Sequence, residues 1–223
     1  MKKLFIALAL MLVAVSSVDA QSTREQIKAR SENVKASRKE LNEKASKDAR
    51  KEAKKMQKEG WQVAPGALPI DKQLDKSYMM QYEQDDYGYP KYMMGEAMSP
   101  AQNYDAAKMQ ALELAKQNLA GQIQTEVTAL IENTVANNQL EPEEAASITK
   151  SVMASKNLIS QSIGRVVTVV EVYRTLPNKN KEVLVRIAYN SDMARQAAIN
   201  AVKKDLANEG EALHGKLDKL LEK

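Results

Sequence analysis

The stretch Ser99–Val135, SPAQNYDAAKMQALELAKQNLAGQIQTEVTALIENTV, holds the longest regular pattern in the chain. Small and apolar residues recur along it every four positions, at Ala107, Ala111, Ala115, Leu119, Ile123, Val127, Ile131 and Val135. Ala106, Leu112, Ala120 and Leu130 widen that line into a stripe. This recurrence is the signature of an amphipathic helix. The alanine-lined first half lets another backbone approach closely, whereas the bulkier, β-branched second half suits the end of a core. At the N-terminus, Ser99 can cap, Pro100 fits the first helical position and Gln102 completes a capping box. Asn103 is a rival cap, and Asn137-Asn138 closes the helix.

Downstream, Glu141-Pro142-Glu143-Glu144 opens a second helix, its acids well placed in the first turn. Ile148, Val152 and Leu158 give that helix an apolar side up to about Ser160. From Gly164 the period changes. Val166 to Tyr173 is β-branched, Pro177-Asn178-Lys179-Asn180 is a turn, and Val183, Val185, Ile187 and Tyr189 alternate with Glu182, Leu184, Arg186 and Ala188. These runs predict an antiparallel hairpin with a half-buried second strand. Asn190 or Ser191 caps a last helix carrying Met193, Ala197, Ala201, Val202 and Leu206. Gly210 interrupts it, and Leu213, Leu217, Leu220 and Leu221 resume an amphipathic tail. There is no internal repeat.

Upstream, Lys91 to Met98 reads as a short strand, with Gly95 where a backbone can come close. Ser77 to Met98 is rich in Tyr and Met, residues of adaptable binding surfaces and of irregular cores. Asp85-Asp86-Tyr87-Gly88-Tyr89-Pro90 reads as a turn, and its aspartates lack the spacing of a calcium loop. Gly60 to Lys76 is punctuated by Gly60, Pro65, Gly66 and Pro69 but carries Trp61, Val63, Leu68, Ile70 and Leu74. A loop this apolar should lie against the domain. Trp61 either anchors the preceding helix there or faces a ligand. Trp61, Tyr78, Tyr82, Tyr87 and Tyr89 are thus the binding candidates.

Residues 21–59 read as one basic, charged helix. Thirteen Lys or Arg and seven Asp or Glu between Arg24 and Glu59 give a net of +6. Ile27, Val34 and Leu41 are seven apart, and Ala45, Ala49 and Ala53 four apart, a seam too thin for a stable coiled coil. A solvated face that keeps the chain soluble explains such charges, as does docking on a partner or an anionic surface. Before this segment, Lys2, Lys3, the apolar run Leu4–Val15, and Val18 and Ala20 match a secretory signal ending at Ala20. Export is therefore expected, to the periplasm or envelope. The run is too short to span a bilayer, which takes ~20 apolar residues. Export also makes nucleic acid a poor partner, and no base-reading motif is present.

Tyr92 to Ala97 (Y-M-M-G-E-A), the spaced alanines, Leu119-Ala120-x-x-Ile123-x-x-x-Val127, the strand ending Glu171-Val172-Tyr173-Arg174, and Val183 to Tyr189 form a familiar order. Residues 90–190 resemble the LPP-twenty-like domain of small bacterial envelope lipoproteins and the related N-terminal domain of the flagellar assembly T protein. The resemblance implies an α+β envelope domain that binds or scaffolds, with no catalytic residues to carry over. The lipid-anchoring cysteine of that family is absent here, and the basic helix and the Trp61 loop fall outside the likeness.

Chemistry is sparse. The chain has no Cys and one His, His214, which excludes the usual zinc clusters and Cys-His pairs. There is no Gly-x-Ser-x-Gly elbow and no phosphate-cradling glycine loop. No cofactor, metal or catalytic residue is expected. The predicted fold is α+β, with a small antiparallel sheet in the order strand-helix-helix-strand-strand-helix. Its helices lie on one face and a long charged N-terminal helix precedes it. The domains expected are a signal peptide (1–20), the basic helix (21–59), a Pro/Gly/Tyr-rich packing loop (60–90) and the α+β domain (91–223). The expected function is non-enzymatic interaction or scaffolding in the envelope, with an envelope protein as partner. The alternatives are a glycan hydrolase using two carboxyls, and binding of anionic lipid or cell-wall polymer by the basic helix.

Overall fold

Every second residue of β3 (Lys181–Asn190) points to the same side of the sheet, and here both sides are apolar. Val183, Val185, Ile187 and Tyr189 are buried on one side, while Leu184 and Ala188 pack on the other. A strand apolar on both sides belongs in the middle of a sheet covered twice. β3 is indeed central, pairing antiparallel with β1 (Tyr92–Ala101) and β2 (Val167–Thr175) in the order β1-β3-β2. Register is fixed by Gly95 opposite Ile187 and Val172 opposite Leu184. Val169 is the extra residue of a bulge in β2.

The computed structural model describes residues 24–25, 27–32, 35, 39, 42–136 and 142–205. The signal segment, Val34, Leu41, Asn137-Asn138, Glu141, Leu206, the C-terminal leucines and His214 lie outside them. The chain divides into two units, 1–44 and 45–223. In the first, residues 24–25, 27–32, 35, 39 and 42 are helical and exposed.

The second unit comprises the sheet and the helices α1 (Lys47–Lys58), α2 (Ile70–Tyr82), α3 (Tyr104–Ala136), α4 (Pro142–Ala154), α5 (Lys156–Ser162) and α6 (Ser191–Asp205). The class is α+β, with the expected order from β1 onward. α3 is about 50 Å long at ~1.5 Å per residue, longer than the sheet it covers. Its alanine half, Ala107, Ala111 and Ala115, lies on β1 and β3, and its bulky half, Ile123, Val127 and Ile131, joins α4, α5 and α6 in the main core. The two halves of the stripe therefore meet two kinds of neighbour. Leu130, read as part of the stripe, is 40% exposed.

Several expected boundaries move. β1 runs through Ser99 and Pro100 to Ala101, so Asn103 is the cap: its Oδ1 accepts from the Ala106 N–H at 2.9 Å. Asn190 caps α6 in the same way, accepting from Met193 N–H at 3.0 Å. The second predicted helix is two, α4 and α5, separated at buried Ser155, whose hydroxyl donates to the Ser151 carbonyl at 2.6 Å.

The largest correction concerns the N-terminal third. The basic helix is not continuous over 21–59. It is interrupted at residues 43–46, where Ser46 starts α1 by accepting from Ala49 N–H. The 60–90 segment is not only a loop, because it contains α2. The α+β unit begins at Ala45 rather than at residue 91. The helices after β1 cover one sheet face, and α1 and α2 cover the other. Ala45, Ala49, Ala53, Trp61, Ile70 and Leu74 pack there against Val170, Val172 and Ala188.

Candidate functional site

α1 is held by its small residues. Ala49 and Ala53 are buried in a cluster shared with α2, Trp61 and the sheet, with Met56 half-buried beside them. At about 100° per residue, the cations Lys47, Arg50, Lys51, Lys54, Lys55 and Lys58 fall within a roughly 140° arc on the opposite side. All six are exposed. None is in an ion pair among the described residues. Arg50 makes one contact, its Nε donating to the Ser46 carbonyl at 3.4 Å. Asp48 and Glu52 are the acids within α1, and Glu52 already accepts the Tyr78 hydroxyl hydrogen bond from α2. Burial and that carboxylate push the Tyr78 phenol from 10.0 up to about 12. Asp75 Oδ1 accepts from Ser46 N–H at 3.0 Å, a second tie between the two helices.

Two concave furrows flank α1. One, of about 650 Å³, is lined by Lys47, Arg50, Lys51 and Lys54, with Asp71 across from them on α2. The other, of about 550 Å³, lies between α1 and the sheet and is lined by Lys51, Lys55, Trp61, Glu96, Arg174 and Arg186 among others. In the second furrow the two arginines are paired. Arg186 Nε donates to Glu96 at 2.5 Å and its Nη1 to buried Ser77 Oγ at 3.0 Å. Arg174 Nε donates to Glu182 at 2.6 Å, and its guanidinium sits 4.6 Å from the Trp61 ring centre.

Of the aromatic candidates, Trp61 is 5% exposed, part of the core beneath α1, with Arg174 over its ring. Tyr78 is half-buried and bound to Glu52. Tyr82, Tyr87 and Tyr89 are 75%, 86% and 62% exposed. Tyr87 and Tyr89 ride on a turn pinned by Asp85, whose Oδ1 accepts from both of their N–H groups at 2.9 Å. The structure thus separates the five into two packing residues and three solvent-facing ones.

The sequence offered the whole basic segment 21–59 as a contact and did not single out the outward face of α1. Its signal was the four-residue spacing of Ala45, Ala49 and Ala53, which marks the buried side and leaves the lysines outward. Arg174, Arg186 and Glu96 were missed because each sits in or beside a predicted strand, where local pattern does not tell which distant charge a side chain meets. Two of the carboxylates in the sheet-side furrow, Glu52 and Glu96, are engaged by Tyr78 and Arg186. Glu126, whose carboxyl burial pushes up against the pull of Arg195, is on α3 and does not line that furrow. Among the described residues, no three His, Asp or Glu side chains group to hold a metal, and no helix is long and apolar enough to cross a membrane. No protein-family model, curated protein or solved structure matches the chain.

Proposed function

We propose that this protein is an exported, envelope-associated interaction or scaffold protein that engages its partner through the outward face of α1. The observation that carries the reading is the set of six cations, in no ion pair among the described residues, on a helix docked by alanines. Like charges fixed in a row repel one another, and an oppositely charged partner relieves that repulsion. Among the described residues no acid forms an ion pair with these cations, and Glu52 on the same helix is engaged by Tyr78. The exposed tyrosines of the Asp85 turn offer a second, aromatic contact of the kind enriched at protein interfaces. The secretory-type N-terminus and the likeness of residues 90–190 to envelope lipoprotein domains support the compartment.

The test is affinity capture from envelope extract with the wild-type chain and with the variant K47E/R50E/K54E. Deleting residues 21–59 is unsuitable, because it removes Ala45, Ala49 and Ala53 and bares the second sheet face. A component retained by the wild type, lost by the variant and rebinding in purified form supports the reading. Equal recovery by both chains removes α1 as the contact face.

A further inference from the structure

The furrow between α1 and the start of α2 is lined mainly by cations. Lys47, Arg50, Lys51 and Lys54 line it, and Asp71 is its acid. Helix geometry spaces Lys47, Lys51 and Lys54 at ~4.5–6 Å along the axis, a run of fixed point charges rather than a single pocket. Three of the four are lysines, which meet phosphate-type groups as point charges without the planar fork that selects one carboxylate. The outward arc of α1 carries no apolar residue, since Ala49, Ala53 and Met56 face the sheet. This helix therefore lacks the exposed apolar face with which amphipathic helices enter a bilayer. A flat headgroup layer meets the crest of a convex ridge but cannot follow its concave flank. A thin flexible chain can.

We propose that this furrow binds a linear polyanion of phosphate-type charge density, lying along α1 with its charges against Lys47, Arg50, Lys51 and Lys54. The inference rests on the reading of α1 as the contact face and names the chemistry of what it contacts. Recognition is by charge spacing, so it is steeply salt-dependent and tolerant of what links the anionic groups. Asp71 opposes it and limits its strength.

The experiment titrates inorganic polyphosphate into the full chain at several salt concentrations. Vesicles containing phosphatidylglycerol are run as a separate arm. Four neutralised anions give an expected slope of log affinity against log salt of roughly −3, at ~0.7 per charge as for single strands. K47E/R50E/K54E should flatten that slope by about 0.7 per residue and weaken binding by more than about tenfold. The variant K150E/K156E/R165E makes the same change in net charge on exposed residues elsewhere, and it should bind like the wild type. D71N should bind more tightly, a gain that no folding defect can mimic.

Equal weakening by both triple variants would reduce the effect to net charge and overturn the proposal. So would polyphosphate binding untouched by K47E/R50E/K54E, which would place the contact on other cations. Vesicle binding that depends on the furrow, without polyphosphate binding, would assign the face to a lipid surface instead. An envelope component captured through α1 while polyphosphate fails to bind would sink this inference and leave the proposed function standing.

Discussion

Gly95 of β1 lies directly beneath Ala115 of α3: a Cβ added at Gly95 would sit 2.5 Å from the Ala115 carbonyl oxygen, 3.1 Å from the Leu119 Cβ and 3.2 Å from the Ile187 side chain. Strand and helix backbones touch here because neither partner has a side chain that would hold them apart. The same seam protects the sheet edge. Asn118 donates to the Glu96 carbonyl at 2.8 Å and Gln122 to the Met94 carbonyl at 3.0 Å. Four helical residues rise ~6 Å and two strand residues ~6.8 Å, so amides four apart on the helix reach carbonyls two apart on the strand.

Gly95→Ala should destabilise the fold by about 1–3 kcal/mol, the usual range for overpacking a filled core. Gly95→Val should do more. The measurement is a denaturant midpoint at unchanged slope. A neutral Gly95→Ala would mean that α3 shifts away from β1 without cost.

Asn118→Val combined with Gln122→Val removes the two amides that occupy the outer carbonyls of β1. An edge strand with free carbonyls is a template for pairing with another chain. The double variant should therefore aggregate faster on mild heating, followed by light scattering, with little loss of α-helix signal before it does. A wild-type aggregation rate would show that Pro100 and the strand's twist protect the edge unaided.

Gln73 is buried at 6% exposure with both ends of its amide used: Nε2 donates to the Leu68 carbonyl at 2.7 Å and Oε1 accepts from Glu171 N–H at 2.7 Å. It ties α2 to the edge strand β2 just past the bulge. Gln73→Leu keeps the bulk and leaves the part-buried Glu171 N–H and Leu68 carbonyl without their side-chain partner, so the expected loss is about 1–3 kcal/mol in total. Hydrogen exchange at the Glu171 amide should accelerate in this variant, and an unaltered rate there would contradict the tie.

Tyr78 supplies an alkaline signature. Its phenol is raised from 10.0 to about 12, first by burial and then by the hydrogen bond to Glu52. The folded state therefore holds the proton more tightly than the unfolded chain. The stabilisation is complete below pH 10 and is lost as pH rises from 10 through about 12. Tyr104 is shifted the same way by burial and by Glu171. The difference in Tm between wild type and Tyr78→Phe should be flat from pH 7 to 9 and fall above pH 10. A difference constant to pH 12 would mean that the phenol does not titrate against the fold.

Periodicity made α3, the hairpin β2–β3 and the class of fold readable. A four-residue spacing of alanines and a two-residue alternation of valines are local patterns imposed by helix and strand geometry. Gly95 was readable as a close approach for the same local reason. The break at 43–46 was harder to see, because Lys and Glu favour helix on either side of it and the cap at Ser46 has no distinctive neighbours. α2 was hidden by the prolines and glycines that precede it.

The sequence by itself determined the secondary-structure periods, the order of elements from β1 onward and the segregation of charge, because each depends on residues close along the chain. Only the tertiary structure decided that β3 is covered on both sides, that Trp61 is a core residue with Arg174 over its ring, and that α1 turns its alanines inward and its lysines outward. Those outcomes depend on which distant surfaces meet: Ala53 is buried only in a cluster that also holds Val170 and Leu74, and six cations share one outward face only when that cluster forms.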